Sequence, residues 1–153
     1  MDIMTVSTLL ILQFTMNVKC GTLFKKSSGN GFFKRYHWTP RHCILTTTSL
    51  SYYTHQGGAW KGSIDLTECT LQSLEEMPAD CPKTGRSVAT GWRIAIQTPT
   101  KRYFIAATCE RDMHEWLQAL KVVIKINEMQ WMKTPTAAKR VVQQRTTQCG
   151  VVR

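Results

Sequence analysis

Basic side chains crowd the first half of this chain without acidic neighbours. No Asp or Glu lies between Ile3 and Ile64, although the whole chain has 20 Lys and Arg, 10 Asp and Glu and a formal net charge of +10. The basic residues of this stretch are Lys19, Lys25, Lys26, Lys34, Arg35, Arg41 and Lys61. Such an excess attracts polyanions, whether phosphorylated lipid headgroups, nucleic acid or acidic protein, and charge alone does not choose among them.

Residues able to perform catalysis or hold a metal form no recognisable arrangement. His42, His55 and His114 have no acid or nucleophile in a catalytic pattern, and no glycine-rich phosphate loop precedes a helix. The six Cys include no CxxC pair and no zinc spacing, so we expect reduced thiols, with Cys43 and Cys109 suited to burial. We therefore expect a binding protein, not an enzyme, with no metal and no cofactor. Nucleic acid is not an expected partner, because no DNA- or RNA-binding motif accompanies the charge.

The length of 153 residues suits one domain with a sizeable core. We assign residues 1–17 to an N-terminal extension, 18–130 to the folded domain and 131–153 to a basic tail that we expect to be mobile. The apolar segment 3–16 is shorter than the roughly 20 residues that span a bilayer. Asp2 precedes this segment where a signal peptide carries positive charge, so an extra strand, a helix or a loosely ordered extension is favoured.

Short runs rich in β-branched and aromatic residues alternate with turn signals from Val18 onward. This pattern is typical of antiparallel barrels and sandwiches. The stretch 75–91 contains two Pro and two Gly without periodicity, and we predict a loop there. The predicted strands are 20–26, 41–47, 50–55, 62–66, 69–74, 92–98 and 102–107.

The period of the apolar residues then changes from two to 3.6, which predicts an amphipathic helix. Thr108 is the expected N-cap, accepting hydrogen bonds from the first free amides of the helix. The apolar face should close the open end of a bent sheet. It comprises Met113, Trp116, Leu117, Leu120, Val123 and Ile124.

Seven strands followed by one C-terminal helix resemble the pleckstrin homology (PH) fold, a seven-stranded antiparallel barrel capped by the helix. The chain is most similar to the phosphoinositide-binding PH domains of adaptors and kinases, over about residues 19–127. Residues 21–26 resemble the family's Gly-x-Leu-x-Lys opening strand, and residues 38–45 resemble its Trp-x-x-Arg second strand. The third, fourth and seventh strands of the family are matched by residues 50–53, 62–66 and 102–107. Trp116 matches the Trp that the family has in its helix.

The resemblance implies a site for phosphoinositides between the first two strands. In the family a Lys ending the first strand and an Arg opening the second hold the phosphates, and Lys25 and Arg41 match these positions. Tyr53 matches the third-strand residue whose hydroxyl donates to a phosphate. Lys26, Lys34 and Arg35 would extend the site, or form a solvated basic loop. Phe32 and Phe33 would enter the membrane boundary, or pack against Trp38.

The function implied is membrane targeting for a signalling or adaptor protein that is cytoplasmic and recruited peripherally to membranes. No oligomer is implied. The alternative is a protein interaction module of the same fold with weak lipid binding, which would use the groove beside the helix or a sheet edge. Thr39 departs from the family pattern, because strong binders carry a second basic residue there. We therefore expect reduced selectivity for the 3-phosphate.

Overall fold

The first four strands form an antiparallel meander in which apolar residues face one side. The computed structural model describes residues 16–27, 37–81 and 87–133. Leu23, Leu45 and Ile64 are fully buried on the shared inner face of this meander, as strand alternation requires. The strands are β1 (Asn17–Lys26), β2 (Trp38–Thr46), β3 (Ser49–Tyr53) and β4 (Trp60–Asp65).

Three further strands, β5 (Leu74–Glu76), β6 (Arg93–Gln97) and β7 (Arg102–Ala106), complete one antiparallel sheet. Its order is β4-β3-β2-β1-β7-β6-β5. β1 joins the two halves, since it pairs with β2 along its length and with β7 at Phe24 and Lys25. The predicted fold class is confirmed, but hydrogen bonding between the described residues does not close the sheet into a continuous barrel.

The fifth strand lies further along the chain than the sequence pattern predicted. Residues 69–74 were expected to form it, whereas Leu71–Ser73 form a short 3₁₀ helix and β5 begins at Leu74. The backbone amide of Thr70 donates to the Ser73 hydroxyl at 3.0 Å, and that of Ser73 to the Thr70 carbonyl at 2.9 Å. Local hydroxyl bonds of this kind compete with strand pairing. β5 therefore occupies the start of the predicted loop 75–91.

The helix α1 (Glu110–Lys133) covers the core with the face that the sequence predicted. All six predicted apolar residues are buried, and Trp116 is 1% exposed. The N-terminus differs from the expectation for Thr108, because its hydroxyl and backbone amide both donate to the Asp112 carboxylate, at 3.0 and 3.2 Å. A charged acceptor in the first turn reverses the direction of the expected bond. No helix among the described residues has the length and apolar character needed to cross a membrane.

The cysteines in the described ranges, Cys20, Cys43, Cys69, Cys81 and Cys109, are all free thiols. Cys43 is buried as expected, and burial raises its pKa to about 12. The expectation for Cys109 was wrong, since it is exposed immediately before α1.

β1 begins at Asn17 and α1 ends at Lys133. The limits of the domain at 18 and 130 stay predictions, as do the extension and the tail.

Candidate functional site

Lys25 and Arg41 lie on one face of the sheet, where β1 ends and β2 begins. Leu23 pairs directly with Arg41, and Lys25 follows Leu23 by two residues, so the three side chains point to the same side. Leu23 is buried in the core whereas Lys25 and Arg41 are partly exposed. We call this end of the sheet the mouth; β3 also ends there and β4 also begins there, as the meander requires.

Lys25 is surrounded by aromatic rings and other cations. Its Nζ lies 4.6 Å from the ring centre of Tyr52 and 5.8 Å from that of Tyr103. Burial lowers the pKa of Lys25, and the positive charges of Lys101 and Arg41 lower it further. Each of these influences disfavours the ammonium form, so an anion bound at the mouth would relieve the repulsion among the three cations.

Tyr52, not Tyr53, shares the face of Lys25 and Arg41. The β2–β3 register pairs Tyr52 with Cys43 and Tyr53 with His42, which places Tyr53 on the opposite face. Leu50 is buried on the inner face of β3, and side chains alternate between the two faces of a strand, so residue 52 shares the face of Leu50. This alternation is the sequence signal that identifies Tyr52. Tyr53, which the resemblance matched to the family's third-strand hydroxyl, therefore lies on the face away from Lys25 and Arg41.

Gly62 makes room for the Tyr52 side chain. It pairs with Tyr52 across β3 and β4 and has a φ of +147°, a conformation that L side chains rarely adopt. A Cβ at Gly62 would lie 2.5 Å from the Tyr52 hydroxyl oxygen. The ring of Tyr52 can therefore lie over β4 only because Gly62 has no side chain.

Lys101 is a third cation of the mouth, and the sequence analysis missed it. It lies in the turn between β6 and β7, and its Nζ is 5.1 Å from the ring centre of Tyr103. Thr98 holds the turn: its hydroxyl donates to the Lys101 carbonyl at 2.8 Å and accepts from the Lys101 amide at 3.0 Å. The hairpin was predicted from the sequence, but not its position beside β1.

Lys26 lies on the other face of β1, away from Lys25 and Arg41. It pairs with Trp38, and its Nζ lies 4.9 Å from the Phe104 ring centre and 3.7 Å from the Cys81 Sγ. The Arg93 guanidinium is also buried on this side, where it donates to the Cys81 carbonyl and stacks 4.9 Å from the Trp38 ring. Lys34, Arg35, Phe32 and Phe33 lie outside the described residues.

The ion pairs formed among the described residues lie away from Lys25 and Arg41. Arg102 contacts Asp80 at 2.9 Å, and Lys19 contacts Glu115 at 3.2 Å. Within the described parts of the chain, neither Lys25 nor Arg41 forms an ion pair with a carboxylate. Their charges are available to an anion from outside.

The family model of the PH domain matches residues 17–125, which is most of the chain. The chain belongs to the PH domain family. This PH domain is a binding module by its family, and its fold is confirmed by solved structures. It superimposes on the C-terminal PH domain of human pleckstrin with a TM-score of 0.53, at 22% identity, covering 72% of this chain and 81% of that one. A crystal structure of that pleckstrin domain in complex with D-myo-Ins(1,2,3,5,6)P5 matches equally, covering 97% of its chain.

Two curated proteins, both homologues of this PH domain, match most of the chain. The human phosphatidylinositol 3,4,5-trisphosphate-dependent Rac exchanger 2 protein is 26% identical over 69% of this chain. The protein daughter of sevenless of Drosophila melanogaster is 28% identical over 62% of it. The matches span only 7% and 10% of these two relatives.

Proposed function

We propose that this PH domain binds phosphorylated inositol headgroups at the mouth and thereby targets a signalling or adaptor protein peripherally to cytoplasmic membrane surfaces. One observation carries the proposal: strands β1 and β2 and the β6–β7 turn bring Lys25, Arg41 and Lys101 together, and Lys25 and Arg41 have no carboxylate partner among the described residues. Three neighbouring cations, of which Lys25 and Arg41 are partly buried, are matched by several phosphates on one small ring. The role is binding, with no catalytic step.

The side chains of the mouth have complementary tasks. The Arg41 guanidinium would fork two hydrogen bonds onto one phosphate, while the ammonium groups of Lys25 and Lys101 would follow phosphates at neighbouring ring positions. The Tyr52 hydroxyl would donate to a phosphate from the wall of the site. Lys34 and Arg35 are proposed to extend the site from the β1–β2 loop, with Phe32 and Phe33 as membrane contacts. Lys26 would act only from the rim, since it lies on the other face.

The relatives support the ligand class. One is described as dependent on phosphatidylinositol 3,4,5-trisphosphate, and one solved neighbour holds an inositol pentakisphosphate. Both match this chain through a PH domain, at low sequence identity. They make phosphoinositides the first ligands to test, and an adaptor or kinase subgroup stays part of the proposal.

Selectivity should be modest. Thr39 pairs with Lys25 on the inner face, where a second basic residue would provide one more charge-assisted hydrogen bond. Losing such a bond costs about 1.5–3 kcal/mol, roughly 10- to 150-fold in affinity. Lys101, on the other side of the mouth, would recover part of this lost affinity, but it does not replace the missing cation at residue 39.

The test is sedimentation with liposomes that carry each phosphoinositide in turn, repeated at rising salt. Arg41→Ala should abolish binding, while Lys125→Ala, which also removes one exposed positive charge but lies on α1, should bind as the wild type does. A specific pocket keeps its preference among inositides as salt rises, whereas a charged patch loses binding to all of them together. Wild-type binding by Arg41→Ala would place the site elsewhere.

A groove beside α1 favours a second candidate, a protein interaction module. The start of β1 and the first half of α1 enclose an open cavity of about 820 Å³, lined by Val18, Lys19, Arg111, His114, Glu115 and Ala119. This mixed apolar and charged lining suits a peptide. Failure to bind any phosphoinositide at low salt would favour this candidate over the first.

A further inference from the structure

Trp60 is a large aromatic side chain left in solvent. It is 62% exposed, whereas Trp116 is buried and Trp38 and Trp92 are partly buried. An indole gains much from leaving water, and Trp is enriched where apolar and polar phases meet. Its exposure at an ordered position therefore requires an explanation.

Trp60 lies next to the mouth. It begins β4, pairs with Tyr53, and stands two residues before Gly62, over which the Tyr52 side chain lies. The register shifts between the pairs Tyr52–Gly62 and Tyr53–Trp60, so Lys61 is the extra residue of a bulge. Bulges bend a strand and redirect its side chains, often beside functional sites. Trp60 and Lys61 are thus presented together at the rim.

The turn that precedes Trp60 is held by its own hydrogen bonds. The Thr54 amide donates to the Ala59 carbonyl at 3.0 Å, and the Ala59 amide donates to the Thr54 hydroxyl at 3.0 Å. The Gly58 amide donates to the His55 carbonyl at 2.9 Å. Because the turn is already ordered, inserting Trp60 into another phase would cost little additional conformational entropy.

The charge around Trp60 favours an anionic lipid surface over an acidic protein groove. Lys61 is exposed beside it, and the nearest carboxylate along β4 is Asp65, at the end of the strand away from the mouth. At a lipid surface the apolar acyl region can accept the indole of Trp60, while the anionic headgroups beside it can contact Lys61. The same surface would hold the inositol ring in the mouth.

We propose that Trp60 is a membrane contact of this domain, and that its indole enters the bilayer interface beside the mouth while Lys61 meets anionic headgroups. This proposal rests on headgroup binding at the mouth. It assigns the β3–β4 turn a role independent of Phe32 and Phe33 in the β1–β2 loop. Soluble headgroup and intact membrane should therefore respond differently to loss of the indole.

The experiment compares Trp60→Ala with the wild type in two measurements. One is the affinity for vesicles of phosphatidylcholine, phosphatidylserine and phosphatidylinositol 3,4,5-trisphosphate. The other is the affinity for soluble inositol 1,3,4,5-tetrakisphosphate by calorimetry. We expect vesicle binding about 10-fold weaker, equivalent to about 1.4 kcal/mol, and unchanged binding of the soluble headgroup. Thermal unfolding should be nearly unaltered, because Trp60 is exposed.

Trp131→Ala is the matched control, since Trp131 is 37% exposed near the end of α1, and it should bind vesicles as the wild type does. Unchanged vesicle affinity of Trp60→Ala, with headgroup binding intact, would overturn the inference and leave the proposed function standing. Equal losses in both measurements would also overturn it, by placing the effect of Trp60 in the pocket. A wild-type protein that binds neither probe would overturn the proposed function and the inference with it.

Discussion

At the scale of single residues, the site depends on which face of its strand each side chain occupies. Lys25 and Lys26 are neighbours in the chain, yet one contacts Tyr52 and the other Phe104 on opposite sides of the sheet. Tyr52 and Tyr53 are divided in the same way. A substitution at Lys25 or Tyr52 should therefore weaken headgroup binding much more than the same substitution at Lys26 or Tyr53.

Tyr52→Phe should weaken binding of soluble inositol phosphates about 5- to 10-fold, and Tyr53→Phe should leave it unchanged. The lost hydroxyl removes one hydrogen bond to a phosphate, worth about 1–1.5 kcal/mol. Titration calorimetry on both variants measures the difference. A loss confined to Tyr53→Phe would mean that the headgroup lies on the outer face.

At the scale of elements, β4 shapes the mouth although it contributes no cation to its inner face. Its bulge at Lys61 and its glycine at Gly62 allow the Tyr52 ring to lie across the strand and bring Trp60 to the rim. The turn between β6 and β7 acts in a comparable way, because the bonds of Thr98 hold Lys101 beside Lys25. Strand ends and turns, more than strand interiors, set the geometry of the site.

Gly62→Ala should lower both stability and headgroup affinity. The backbone strain costs about 1–3 kcal/mol, and the new methyl group displaces the Tyr52 hydroxyl. Gly57→Ala is the control: its φ is +74°, but no atom lies within 4 Å of the added Cβ, so stability falls and affinity does not. Chemical denaturation and calorimetry separate the two effects. Normal headgroup affinity in Gly62→Ala would show that Tyr52 does not contribute to binding.

At the scale of the whole molecule, the domain brings several like charges together at the mouth. The chain carries a formal net charge of +10, and its described ion pairs lie away from Lys25 and Arg41. Lys25 is partly buried among other cations, and its pKa is lowered chiefly by burial. Phosphates bound at the mouth as proposed would offset the repulsion that Lys25 experiences in the free fold.

Lys25→Met should therefore lose headgroup binding while its free energy of unfolding stays equal to that of the wild type or rises by up to about 1 kcal/mol. Because the folded-state pKa of Lys25 lies below its ordinary value of 10.5, its contribution to stability becomes more favourable as pH rises through the interval between them. Any stability advantage of Lys25→Met should shrink over that interval. Denaturation at neutral and alkaline pH measures this change, with the exposed Lys61→Met as control. Marked destabilisation of Lys25→Met at neutral pH would contradict the expectation.

The local patterns of the sequence were sufficient for much of the fold. The buried face of α1 follows from the spacing of Met113, Trp116 and Leu120, and six of the seven strands lie close to their predicted positions. The strand at 69–74 failed because hydroxyl bonds of Thr70 and Ser73 stabilise a turn that apolar alternation does not reveal. The candidate site was only partly predictable. Lys25 and Arg41 followed from the resemblance, which named Tyr53 on β3, whereas the β2–β3 register places Tyr52 on their face.

The sequence by itself determined the PH fold, the acid-free first half and the two cations that adjoin the β1–β2 loop. Each strand, the helix and the two cations can be identified from short-range spacing, and the order of these patterns along the chain indicates the fold. Only the tertiary structure decided that Lys101 joins Lys25, that Lys26 faces away and that Trp60 stands at the rim. These relations depend on the pairing of β1 with β7 and on a one-residue bulge in β4. A shift of one residue reverses every side chain of a strand, so such contacts are set by register between distant segments.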